Sequence, residues 1–369
     1  MKVWYWFFCL LPFCSQAQDS LSSKLPVFGM NVMAGKLFLH TPKIHIQAPP
    51  LSSTVELTYG FQSNGEKEWQ QRFGFPETSI SFCFASQGDS KLGWAAGLFP
   101  SIRFHVKSFK HAYVFAKLGG GIGIASKHWH RLPYSDTFNN VIGSMVNNFT
   151  MFQIGYRQQI KKNWTMDAGI FFHHLSNASA RQPNFGYNTY GLILGTAYHP
   201  NGFQSKFKKR DFPPTRQSVY LLTKLIVARS EEKVNDGPVY STYGLTMAAT
   251  RLVRQKARLM LGADVAYYTK WYALYKNSGL FDGEERIHAF RYSLFVANEF
   301  TFGRVGFPLQ LGLYLNRPIQ GPKIYQKLGL NYHLYQKSNS RLKDVFLILQ
   351  LKTHLAQAEY AEMGIGFQF

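Results

Sequence analysis

The stretch FFHHLSNASARQPNFGYNTYG, residues 171–191, holds two adjacent histidines, a serine two positions beyond the second, and three asparagines. A serine hydroxyl beside an imidazole is the pair from which nucleophilic acyl transfer is built, because the imidazole can take the hydroxyl proton as the oxygen attacks. Spacing decides which histidine can serve. On a strand, successive side chains point to opposite faces, so His174 shares a face with Ser176 and His173 does not. An i, i+2 pair lies about 6.6 Å apart at Cα, close enough for an imidazole nitrogen to reach a seryl oxygen if the two side chains lean together.

The residues before this pair support a strand. In WTMDAGIFFHHLS, residues 164–176, Trp164, Met166, Ala168, Ile170 and Phe172 form one apolar series that His174 and Ser176 continue. Thr165, Asp167, Gly169, Phe171 and His173 form the other. The same period-two alternation recurs in Val55, Leu57, Tyr59 and Phe61, in Phe307, Leu309, Leu311, Leu313 and Leu315, and in Val345, Leu347, Leu349 and Leu351. It closes the chain, where Ala361, Met363, Ile365, Phe367 and Phe369 oppose Tyr360, Glu362, Gly364, Gly366 and Gln368. Each strand thus has one face suited to hydrocarbon and one that is polar or glycine-rich.

The N-terminus sets the compartment. MKVWYWFFCLLPFCSQAQDS has a lysine, a short apolar run, and small residues at Ser15 and Ala17 in the spacing of a signal-peptidase site, so residues 1–17 are expected to be an export signal. The run is shorter than the roughly 20 residues that a spanning helix needs. Of three cysteines, Cys9 and Cys14 leave with the signal and only Cys83 remains, so no internal disulfide can form. The formal charge is +21, and it falls by one when Lys2 is removed. Such an excess suits an anionic partner, and for an exported chain a phosphate-bearing membrane surface is the expected one rather than nucleic acid.

Turn punctuation divides the chain into about sixteen strands, eight before residue 200 and eight after it. The first eight lie near 27–44, 53–62, 77–86, 91–105, 111–126, 147–160, 164–176 and 188–199. The others lie near 216–230, 239–251, 257–273, 286–301, 305–316, 324–336, 343–353 and 358–369. Short connections such as KSFK, KKN, RQK, FGR and KSNSR follow even-numbered strands, as periplasmic turns do, while longer stretches follow odd-numbered ones. The fold class is therefore all-β, an antiparallel transmembrane barrel of the outer membrane, since closed barrels satisfy every backbone group in lipid. A single sixteen-stranded barrel is the preferred closure, with 18–200 as one half, 201–217 as a linker or long periplasmic turn and 218–369 completing the wall. An eight-stranded barrel beside a second β unit is the alternative.

HLSNASARQPNFGYN resembles the active-site segment of the lipid A 3-O-deacylases, outer-membrane barrels with a His-x-Ser-Asn-Ala motif, a following Pro-Asn and a third catalytic residue at the start of the next strand. The likeness is specific over about residues 172–192, extends plausibly over the first eight strands, and says little about 217–369. It implies Ser176 as nucleophile, His174 as general base, Asn188 as the residue that orients the imidazole, and Asn184 as an oxyanion donor aided by the backbone N–H near Ser179. Two positions depart from the family pattern, which has glutamate at Asn188 and glycine at Ser179. The resemblance also implies lipid A of lipopolysaccharide as the substrate, with no cofactor or metal. The terminal strand resembles the signal read by the barrel assembly machinery. A porin or transport channel is the alternative function. His128 and His130 are expected in a solvated loop, Gly119–Gly123 inside a strand wall, and Lys352, His354 and Glu362 on the inward face, while Cys83 points inward.

Overall fold

In the computed structural model, residues 25–369 are described except 131–137, 206, 208, 213–217, 233, 254–255, 317–320, 338 and 356. The expected export signal lies outside the described residues. Among the described residues sixteen antiparallel strands are present, and they close as two barrels. The first comprises β1 (Leu25–Leu37), β2 (Ser52–Gln62), β3 (Glu77–Ser86), β4 (Trp94–Ser108), β5 (Ala112–Ala125), β6 (Val146–Lys161), β7 (Trp164–Ser176) and β8 (Tyr187–Tyr198). The second comprises β9 (Val219–Glu231), β10 (Val239–Val253), β11 (Ala257–Tyr268), β12 (Phe290–Phe302), β13 (Val305–Tyr314), β14 (Ile324–Gln336), β15 (Asp344–His354) and β16 (Gln357–Gln368).

Closure is set by β8 returning to β1, with Phe28 opposite Tyr198 and Leu37 opposite Thr189, and by β16 returning to β9, with Ile365 opposite Leu225. The strand number matches the sequence reading, but the preferred single wall gives way to the alternative of two units. The physical reason lies in the inward side chains. An eight-stranded barrel is just wide enough to be filled by its own residues, whereas sixteen strands enclose open space. Here the inward positions carry interlocking bulky groups, including Arg157, Tyr113, Phe99 and Phe149, all fully buried.

Three layers fill the first lumen. Near the start of β7, Arg103 Nη1 donates to Asp167 Oδ2 (2.8 Å), Arg157 Nε donates to Asp167 Oδ1 (2.6 Å), and Arg157 Nη1 donates to Glu77 Oε2 (3.0 Å). Midway, Lys117 Nζ donates to Glu56 Oε1 (2.6 Å), while Asn31 and Gln153 donate to Glu56 Oε2. Toward the end of β7 the filling is apolar, with Met33, Phe99, Phe149, Phe171, Leu175 and the inward-pointing thiol Cys83 in one cluster. The connector after β8 seals the opposite end: Phe203 stacks on Tyr113, and Phe207 stacks on Phe75. Removing one partner of a buried pair leaves the other charge uncompensated. Asp167→Ala, which leaves two buried guanidinium groups to share the single carboxylate of Glu77, is therefore expected to lower the unfolding free energy by about 3–5 kcal/mol, read as a lower urea midpoint in detergent micelles.

The outward faces are apolar, as the alternation predicts: Leu57, Ile170, Leu192, Leu311 and Leu349 are all exposed. Some boundaries differ from the sequence reading. β1 stops at Leu37 rather than near 44, and the strand expected over 257–273 ends at Tyr268. There the chain enters α2 (Thr269–Ser278), which ends on Gly279 in the left-handed region, and α3 (Glu285–His288) follows. A further helix, α1 (Glu68–Arg72), lies in the β2–β3 connection.

Candidate active site

Strand β7 delivers both members of the opening pair to the outward side of the first barrel, at the end where the loops after odd-numbered strands gather. His174 Nε2 lies 2.7 Å from Ser176 Oγ. His173 is turned into the lumen, where its Nε2 lies 3.2 Å from Thr54 Oγ1 and its ring packs between Phe149 and Phe171. The parity argument therefore selects the histidine that meets the serine.

The register of β7 with β8 sets Asn188 directly opposite His174. Asn188 Oδ1 lies 2.7 Å from His174 Nδ1. The amide is oriented by what its other end touches: Asn188 Nδ2 donates to Gly186 O (3.2 Å) and to His40 Nδ1 (3.1 Å). The Gly186 carbonyl can only accept, so Nδ2 faces it and the carbonyl oxygen, not the NH₂ group, is aimed at the imidazole. Nδ1 of His174 then carries the proton, and Nε2 is an acceptor toward the seryl hydroxyl. Gly186 has φ +79°, and a Cβ there would sit 2.6 Å from His174 Cε1, so only glycine lets the chain close over the ring. This cover makes the site a half-buried recess in the outer wall rather than an open lipid face.

The β7–β8 loop supplies the other two expected residues. Asn184 Oδ1 accepts from the N–H of Asn177 (2.9 Å), which fixes the side chain with Nδ2 turned the other way. Asn177 is held in turn by Ser144 Oγ, and the β5–β6 loop pairs with the same segment through an Ile142–Asn184 bridge. Gly143 permits that approach, because a Cβ on it would lie 2.2 Å from Gln182 O. Ala178 and Ser179 both adopt left-handed backbone, at φ +54° and +65°. Among the described residues, neither Asn184 Nδ2 nor Ser179 N–H is engaged by another group. Ser176, Ser179 and Asn188 are each less than a tenth exposed.

His40 is the member that sequence reasoning missed. It lies in the loop after β1, 148 residues from Asn188, in a stretch read as part of a longer first strand. No short-range spacing could signal it.

Two family models match the chain. Lipid A 3-O-deacylase (PagL) matches residues 53–197, and acyloxyacyl hydrolase, C-terminal domain, matches residues 217–369. The chain belongs to the lipid A 3-O-deacylase family. Membership brings ester hydrolysis on lipid A and an outer-membrane barrel, and it reaches the second barrel, where the sequence motifs had carried little. No curated protein matches the sequence. Solved structures that match include a BenF-like porin from Pseudomonas fluorescens Pf-5, 7% identical, covering 95% of this chain and 98% of that one, with a TM-score of 0.22. OccK1 (OpdK) from Pseudomonas aeruginosa is 9% identical over 94% of this chain and 97% of that one, also at 0.22. Scores at this level carry no argument about architecture or activity.

Proposed function

We propose that the protein removes an acyl chain from lipid A by serine nucleophilic catalysis, with Ser176 as nucleophile, His174 as general base and Asn188 as the residue that holds the imidazole tautomer. The observation that carries this reading is the continuous line from Ser176 Oγ through both ring nitrogens of His174 to Asn188 Oδ1, at 2.7 Å on each side. In the reaction, His174 Nε2 takes the seryl proton as Ser176 Oγ bonds to the ester carbonyl carbon. The tetrahedral oxyanion is met by Asn184 Nδ2 and the N–H of Ser179, donors fixed before the substrate arrives. The bond between the acyl carbon and the sugar-borne ester oxygen breaks, and His174 gives its proton to that oxygen as it leaves as the alcohol. Water, deprotonated by the same imidazole, then hydrolyses the acyl-serine and releases the fatty acid.

Position supports the same reading. The site lies on the outward wall at the end opposite the short connections after β4, β6, β10, β12 and β14. Short turns of outer-membrane barrels face the periplasm, so the recess meets the outer leaflet at the depth of its acyl esters. The outward apolar series of β16, with Met363, Ile365 and Phe367, supports recognition by the barrel assembly machinery. The channel alternative has no comparable support, since both lumens are occupied by side chains: in the second, Lys327 pairs with Asp264 and Glu362, and Arg258 pairs with Glu299 and Asp344.

Mass spectrometry of lipid A from cells with and without the protein tests the proposal. Cells making the parent protein should show lipid A lighter by one acyl chain, and cells making Ser176→Ala should not. Unchanged lipid A in the presence of folded parent protein overturns it.

A further inference from the structure

Among the described residues, the second barrel carries no counterpart of the site. Its histidines His288, His333 and His354 bond to carboxylates and a carbonyl rather than to a serine. Yet it touches the first barrel at the loop that bears Ser179 and Asn184. The N–H of Glu231, the last residue of β9, donates to Ser179 O (3.0 Å). Ser179 Oγ donates to Ala358 O of β16 (2.9 Å). The carboxylate of Glu231, wholly buried, accepts from Arg181 Nη1 (3.1 Å) and from the N–H of Gln182. Four bonds from the second barrel therefore fall on Ser179, Arg181 and Gln182, the short run that leads to Asn184.

These bonds oppose a local preference. Two successive non-glycine residues, Ala178 and Ser179, in left-handed backbone are disfavoured relative to right-handed backbone because Cβ crowds the following carbonyl. Such a conformation persists only where its surroundings over-determine it. Within the first barrel, the 177–184 loop is held by the bonds of Asn177 to Asn184 and Ser144 and by Asn177 O and Oδ1, which accept from the N–H groups of Ala180 and Arg181. Ser179 O, Ser179 Oγ and the Gln182 N–H are instead bound by Glu231 and Ala358 of the second barrel.

We infer that the second barrel is a positioning scaffold for the oxyanion donors of the first, with Glu231 as its principal positioning residue. The inference rests on the reading of Ser179 and Asn184 given above. Glu231 touches no reacting atom. It acts by holding the Ser179–Ala180 peptide through its N–H and the Arg181–Gln182 peptide through its carboxylate, so that the Ser179 N–H and the Asn184 amide converge on one point. Loss of that hold raises the barrier to the tetrahedral intermediate and leaves ground-state binding nearly unchanged, so the effect falls on kcat rather than on KM.

The test is fatty-acid release from purified lipopolysaccharide by the full chain in detergent micelles. Glu231→Ala is expected to lower kcat between about tenfold and a hundredfold, the scale of a misplaced oxyanion donor, with KM little changed. Glu231→Gln keeps the packing and one acceptor oxygen, and it should show a smaller loss in the same direction. It also tests the contact where the alanine variant fails to fold. The decisive arm is Ser179→Gly placed in the Glu231→Ala background. Glycine adopts positive φ at no steric cost, so the double variant should recover much of the lost kcat. A general structural defect would not be rescued by glycine at residue 179, and absence of rescue overturns the inference. So does a kcat for both Glu231 variants equal to that of the parent. If the parent itself shows no release that depends on Ser176, the underlying reading of the site fails instead.

Discussion

Replacing His174 by alanine is expected to lower kcat for acyl release by about 10³–10⁶-fold, the range seen when the base of a serine hydrolase is removed. The effect is large because Ser176 loses the one proton acceptor beside it among the described residues: Oγ lies 2.7 Å from His174 Nε2, and His173 is on the other side of the wall. His173→Ala serves as the contrast. It leaves a cavity between Phe149 and Phe171 and an unpartnered Thr54 hydroxyl, so it should reduce stability while changing kcat only a few fold. Steady-state kinetics of the two variants, checked for folding by circular dichroism, separate these outcomes. Equal losses in kcat would show that the lumen-facing histidine takes part in the chemistry.

Asn188 gives the second large effect. Asn188→Ala removes the acceptor on His174 Nδ1 and frees the ring to turn or to take the other tautomer. A loss of kcat between about tenfold and a hundredfold is expected, with the fold intact. Asn188→Glu should retain or raise activity, because a carboxylate accepts the same proton and also stabilises the imidazolium that forms on proton transfer. The surroundings must adjust to it. Asn188 Nδ2 donates to His40 Nδ1 and to Gly186 O, and a carboxylate can donate to neither. The tautomer of His40 can switch so that Nδ1 donates, whereas the Gly186 carbonyl cannot change, and repulsion there opposes the gain. If Asn188→Ala matches the parent, the third member is not Asn188, and the site works as a His174–Ser176 dyad.

Alternation along single strands made the wall legible from sequence, and the same parity separated His174 from His173. Both are local properties, fixed by the period of two. The closure was not legible in that way, because inward and outward faces alternate identically in one barrel of sixteen strands and in two of eight. What distinguishes them is the bulk of inward groups such as Arg157, Tyr113 and Phe149, a volume argument that strand parity does not contain. Ser176, His174 and Asn188 were within reach because the proposed triad draws on adjacent strands, β7 and β8. His40 and Glu231 were not, since loop closure and the packing of one barrel on another bring them in from distant parts of the chain.

The two barrels also meet at the end away from the site, where Trp69 and Phe73 of the β2–β3 connection pack on Phe302 and Lys256 lies over the ring of Phe73. The molecule thus adds a broad protein surface to a membrane whose worth to the cell is its impermeability. The layered interior of the first barrel works against ion flow through that surface. An ion moving along the first barrel would have to part Asp167 from two guanidinium groups, then Glu56 from Lys117, and then cross a plug of phenylalanine, leucine and methionine side chains. Each step strips hydration without offering a replacement shell. An enzyme that edits the lipids of the permeability barrier can in this way sit within the barrier and leave it osmotically intact.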